Sequence, residues 1–160
     1  ETALHGMKNI RMPVAVDLPM TIGLPTDYIR DQRMRLSLYR RIAEIESLEG
    51  LDALNNEFED RFGPLPDEVK NLLFQIKVKI LAENAGITSI GIESDQIVLR
   101  YPPQPEKLVL KDIYFADNFV RSGKNSYWFA YRKVGEDWQS ILVTILKELI
   151  EISPNLITQG

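Results

Sequence analysis

Apolar residues first recur at every second position. Met12, Val14, Val16 and Leu18 alternate with Pro13, Ala15 and Asp17, the period of a half-buried strand. Pro13 lacks the amide hydrogen that a ladder needs, so this strand is expected at a sheet edge. Residues 1–10, mixed in character and holding Gly6, read as a linker remnant, and 11–160 as one domain. Pro19, Gly23 and Pro25 make 19–31 an extended connection rather than an element.

Helical spacing follows. Met34, Leu38, Ile42 and Ile45 lie on one face of a first helix, with Gly50 breaking the pattern. Leu51, Leu54, Phe58 and Phe62 form the stripe of a second, ended by Gly63 and Pro64. A third opens with Pro66 at its first helical position, and Asp67 and Glu68 suit the positive end of the helix dipole. It turns Val69, Leu72, Leu73, Ile76 and Ile80 inward and stops at Gly86, where a left-handed cap favours glycine.

The period then shortens. Ile90 and Ile92, a polar turn at Ser94-Asp95, and Ile97, Leu99 and Tyr101 read as a hairpin, closed by the proline-rich run 102–105. Leu108, Val109, Leu110 and Ile113 suit a short helix or a strand, and 106–120 stays open between the two. After a turn at 122–125, Tyr127, Phe129 and Tyr131 mark one side of a strand. Trp138, Ile141, Leu142, Ile145, Leu149 and Ile152 make the strongest amphipathic helix, stopped before Pro154. Helices and strands segregate along the chain, so the class is α+β. The expected architecture is an N-terminal edge strand and a three-helix segment packed with a small antiparallel sheet and a long C-terminal helix.

Composition narrows the chemistry. The 160 residues are 44% hydrophobic and 26% charged, an ordinary globular balance, and the net charge of −4 argues against a main role in gripping phosphate backbones. No cysteine is present, which excludes disulfides, thiolate nucleophiles and zinc-thiolate sites and fits a reducing cytoplasm. No apolar run approaches the roughly 18–20 residues of a membrane span, so no membrane role is expected. The chain opens on Glu1 rather than methionine, as a piece of a longer polypeptide or a processed N-terminus would. Phosphate-binding glycine loops are missing, and His5 is the only histidine. Neither a cofactor nor a metal nor a catalytic residue is expected.

Two surface features invite a binding reading. The stretch 127–133 interleaves aromatic and basic residues and, with Arg121 and Lys124, could stack single-stranded nucleic acid; its alternation equally suits a core strand. On the second helix, Glu57 and Asp60 share the face away from the apolar stripe, a pattern that an ordinary solvated helix face also shows. With Glu59 they stand in the last two turns, where negative charge opposes the dipole and Arg61 offsets part of it.

Three ordered blocks, 24–31 (Leu-Pro-Thr-Asp-Tyr-Ile-Arg-Asp), 35–42 (Arg-Leu-Ser-Leu-Tyr-Arg-Arg-Ile) and 60–66 (Asp-Arg-Phe-Gly-Pro-Leu-Pro), resemble the C-terminal domain of bacterial transcription-repair coupling factors over roughly residues 14–90. The resemblance implies a parent protein that is an ATP-driven DNA translocase working with RNA polymerase, DNA and the excision-repair ATPase. It implies that this domain is a non-catalytic regulatory module. Its partner would be the N-terminal repair module of the same polypeptide, clasped so that the surface recruiting the repair ATPase is masked. Glu57 and Asp60 match the family's contact positions, facing arginines of the partner. Tyr28, Tyr39, Arg40, Arg61 and Phe62 are expected to tie the loop to the helices. The alternative is an accessory nucleic-acid-binding domain using the 127–133 strand; a hydrolase run by surface carboxylates ranks last.

Overall fold

Asp31 starts the first helix, and its carboxylate accepts hydrogen bonds from the amides of Arg33 and Met34. This cap satisfies donors that a helix start leaves open. The computed structural model describes residues 14–103 and 120–157. In it, β1 (Ala15–Val16) leads through a connection to α1 (Gln32–Ala43), α2 (Leu48–Phe62) and α3 (Asp67–Ala85). The strands β2 (Ser89–Glu93), β3 (Gln96–Arg100), β4 (Arg121–Ser122) and β5 (Ser126–Phe129) follow, then a short 3₁₀ turn (Gly135–Asp137) and α4 (Trp138–Ile157). The α+β class stands.

The five strands form one sheet in the order β1-β2-β3-β5-β4. The edge position of β1 follows the expectation from Pro13. Its direction does not, since β1 pairs parallel to β2, Ala15 opposite Ser89, while all other pairs are antiparallel. The whole helical segment lies between β1 and β2, long enough for the crossover that parallel pairing requires. The hairpin turn falls at Ser94 and Asp95, both left-handed, with φ of 49° and 62°.

Two apolar clusters fill the interior. One lies between the sheet and α4, with Ile97, Leu99, Phe129, Leu142, Ile145 and Leu146 all nearly inaccessible. The other lies among α1, α2 and the 19–31 connection, around Phe58, Ile29, Leu38 and Ile42. The connection has no regular structure, yet it delivers Leu24 and Ile29 to that core. Helix α3 spans both, giving Val69, Leu72 and Leu73 to the helical cluster and Val78, Leu81 and Ala82 to the sheet cluster.

Several expected boundaries move. Gly50 does not divide α1 from α2; Ser47 caps α2 by accepting from the Gly50 amide at 3.0 Å, so glycine sits in the first turn. Pro66 is the cap residue of α3 rather than its first helical position, with φ −64° and ψ 160°. Gly86 ends α3 in the left-handed conformation as expected, φ 76° and ψ 18°. Ser122 belongs to β4 rather than to the turn, and β5 stops at Phe129, leaving Tyr131 in a turn that packs on the sheet cluster. Helix α4 continues through Pro154 to Ile157. A proline so near a helix end removes one amide hydrogen bond from the last turns alone, where few others depend on it. The lead-in at 1–10 and nearly all of the open segment 106–120 lie outside the described residues.

Candidate functional site

Where α1 ends and α2 runs alongside it, charge is concentrated. Glu57 points at α1. Arg41, in the last turn of that helix, donates to it through both terminal nitrogens at 2.7 and 2.9 Å, and Arg61, one turn along α2, adds a third bond at 3.0 Å. The carboxylate is about one-third exposed, 32%. The hydrogen bonds from Arg41 and then from Arg61 hold its pKa down at about 2, and Glu57 in turn raises that of Arg41. Two guanidiniums against one carboxylate leave this spot with a net positive charge.

Asp60 is different. It stands one turn further on the outer side of α2, exposed and, among the described residues, without an ion pair. The two expected site residues are therefore neighbours on one helix but not equivalent: Glu57 is spent within the chain and Asp60 is open. Glu49, Asp52 and Glu59 are also exposed on α2 without ion pairs among the described residues. The i,i+4 link from Glu57 to Arg61 was legible in the sequence. Arg41 was not, because nothing local marks a partner on another helix.

The turn after Asp60 is braced. The Tyr28 hydroxyl lies 3.2 Å from the Phe58 carbonyl and 3.0 Å from that of Gly63, to which it donates. The Phe62 ring packs on Tyr28 and Phe58 at centroid distances of 5.7 and 5.9 Å, and the Arg61 guanidinium lies 5.0 Å over it. At Gly63 the backbone takes φ 90°, a conformation that glycine reaches without strain. On the other side of the connection the Leu24 amide donates to the Tyr39 hydroxyl at 2.8 Å, and Arg35 donates to the Ile29 carbonyl at 2.7 Å. Tyr28, Tyr39 and Phe62 thus tie loop to helices as expected, whereas Arg61 holds helix to helix, through Glu57 and the Met34 sulfur at 3.8 Å. Arg40 does neither: it is exposed and holds nothing among the described residues.

The aromatic-basic stretch is divided between core and surface. Tyr127 is 5% and Phe129 1% exposed, so their faces are spent in the core. Tyr131 packs partly against the same core, and Arg132 pairs with Asp95 at 3.4 Å. Trp128 points to the opposite side of the sheet and lies over Gly123, where even a methyl group would meet the ring at 2.8 Å. Among the described residues no three histidine, aspartate or glutamate side chains gather as a metal site, and no helix is long and apolar enough to cross a membrane.

Comparison with known proteins places these features in a wider set. The family model of the TRCF domain matches residues 18–111. The transcription-repair-coupling factor of Mycobacterium bovis is 35% identical over 104 residues, 63% of this chain and 8% of that protein. That of Haemophilus influenzae is 45% identical over 75 residues, 47% of this chain and 6% of that protein. The chain therefore spans less than a tenth of the length of either relative. The crystal structure of a C-terminal domain of transcription-repair coupling factor has the same fold. Its TM-score is 0.75 across 92% of this chain and 99% of that one, at 24% identity.

Proposed function

This chain belongs to the TRCF domain family, the C-terminal domain of transcription-repair coupling factors, and from that membership we propose that it is a non-catalytic regulatory interaction domain. In this reading it clasps the factor's own N-terminal repair module and masks the surface that recruits the excision-repair ATPase. The parent protein supplies the ATP-driven translocation on DNA and the engagement of RNA polymerase.

The observation that supports the reading is the exposed carboxylate of Asp60, unpaired among the described residues, on a helix end whose geometry is braced from three sides. A partner arginine meets Asp60 directly. It reaches Glu57 only by displacing Arg41 or Arg61, and such an exchange conserves the number of ion pairs and adds little net free energy. The clasp's electrostatic contribution thus falls mainly on Asp60. An exposed pair is worth roughly 0.2–1 kcal/mol, and tethering within one polypeptide, at an effective concentration of about a millimolar, makes a weak contact sufficient.

Asp60→Arg in the full-length factor is the test. The domain's melting temperature should hold or rise slightly, because an acid is removed from the negative end of a helix dipole. Recruitment of the repair ATPase should increase. A variant that folds normally and recruits at the wild-type level would place the clasp elsewhere.

A further inference from the structure

The described arginines divide by what they hold. Arg35, Arg41, Arg61, Arg100 and Arg132 each engage a carboxylate or a backbone carbonyl of this chain. Arg30, Arg33 and Arg40 are exposed and engage neither among the described residues. All three lie on or just before α1. Arg121, free as well, stands alone on the edge strand β4.

Arg33 and Arg40 are seven positions apart, hence on one face of α1, opposite the buried Leu38 and Ile42. Between them stands Leu36, which at 53% is the most exposed large apolar side chain described. Tyr39 flanks it at 40% exposure, its hydroxyl already occupied by the Leu24 amide. A lone exposed leucine is ordinary. Here it coincides with a second local conflict, since Arg33 lies in the first turn, at the positive end of the dipole, where α1 carries no acid. Nearby acids do not neutralise the face: Asp31 serves as the helix cap, and Glu44, just past the helix end, forms no ion pair among the described residues. Departures from local rules gather where a surface has another task.

We propose that the outer face of α1 is a docking surface for an acidic amphipathic protein helix. Carboxylates of that helix pair with Arg33 and Arg40, and an apolar side chain covers Leu36 and the Tyr39 ring. The surface favours protein over nucleic acid because its centre, Leu36, is an aliphatic side chain rather than a stacking ring. The inference is independent of the clasp, which uses a different helix and the opposite charge.

The test is an amide chemical-shift titration of the isotope-labelled chain. The probe is a synthetic helical peptide of roughly 16 residues with two leucines a turn apart, flanked by glutamates. A peptide with lysines for glutamates and a single-stranded oligothymidylate are the comparators. Shifts should centre on Arg33, Leu36, Ser37 and Arg40 and weaken with salt. Affinity should fall about tenfold or more in the double variant Arg33→Glu, Arg40→Glu and several-fold in Leu36→Ser. These positions are exposed, so folding is retained. Absence of α1 shifts near millimolar peptide, or variants that bind like the wild type, would overturn the proposal. Tighter binding of the oligonucleotide at this face would reassign it to nucleic acid, and α1 shifts that grow with protein concentration alone would reassign it to a second copy of the chain.

Discussion

Glu57 keeps its charge because three guanidinium hydrogen bonds reward it, which holds its pKa near 2 instead of the ordinary 4.5. The folded value is the lower one. Its stabilisation is therefore complete above about pH 4.5 and is lost as pH falls toward about 2. Glu57→Gln should melt below the wild type at neutral pH, and the gap should close in acid; thermal melts across that range check it. With both partners substantially exposed the loss should be modest, roughly 0.2–1 kcal/mol for each pair. Charge reversal at Glu57 behaves differently from reversal at Asp60, because Glu57→Lys gathers three cations at one corner. The face on which Glu57 lies was legible from helical spacing. That its charge is already spent was not, since Arg41 is 16 residues away in sequence.

At the level of elements, the β2–β3 hairpin closes through two non-glycine residues in left-handed conformation. Such turns favour Asn-Gly, and an L-residue there costs roughly 1–2 kcal/mol. Asp95→Gly should therefore stabilise the chain by about 0.5–1 kcal/mol, after the glycine's extra unfolded-state freedom is subtracted. The lost contact with Arg132 matters little, with both side chains well exposed. A rise in melting temperature is the readout. Helix α4 makes the opposite point, because Leu142 is fully buried between it and the sheet. Leu142→Ala should cost about 2–5 kcal/mol, and a melt unchanged from the wild type would show that the helix does not pack as described. The end signals of helices divided in the same way. Gly86 stopped α3 because its left-handed conformation is a local requirement, whereas Gly50 and Pro154 proved compatible with helix near an end, where few amide bonds depend on them.

Across the molecule, α3 is the one helix shared by both cores. Its allegiance changes over a single turn, from Leu73 and Ile76 in the helical cluster to Phe74 and Val78 in the sheet cluster. Wild-type unfolding should then be one cooperative transition, carried from core to core through that helix. Gln75→Pro, at the changeover, should cost about 3 kcal/mol or more by breaking the helix and should split the transition in two by calorimetry. A single transition at lower temperature would mean that other contacts couple the cores.

The sequence by itself determined the four helices, the β2–β3 hairpin, which of their faces turn inward, and the order of the family's blocks, though not the strand β4. Those properties rest on apolar spacing and on residues such as Asp31, Gly63 and Gly86, whose conformational demands act within a few positions. Tertiary structure alone decided that β1 joins β2 in parallel, that the irregular 19–31 connection supplies Leu24 and Ile29 to a core, and that Tyr127 and Phe129 are buried rather than open to a ligand. It also decided that the charge of Glu57 is paired within the chain while Asp60, Arg33 and Arg40 have no ion pair among the described residues. The physical reason is common to all of these. Pairing, burial and charge compensation depend on which distant segments meet, and a chain's local periodicity says which face is apolar without saying what will lie against it.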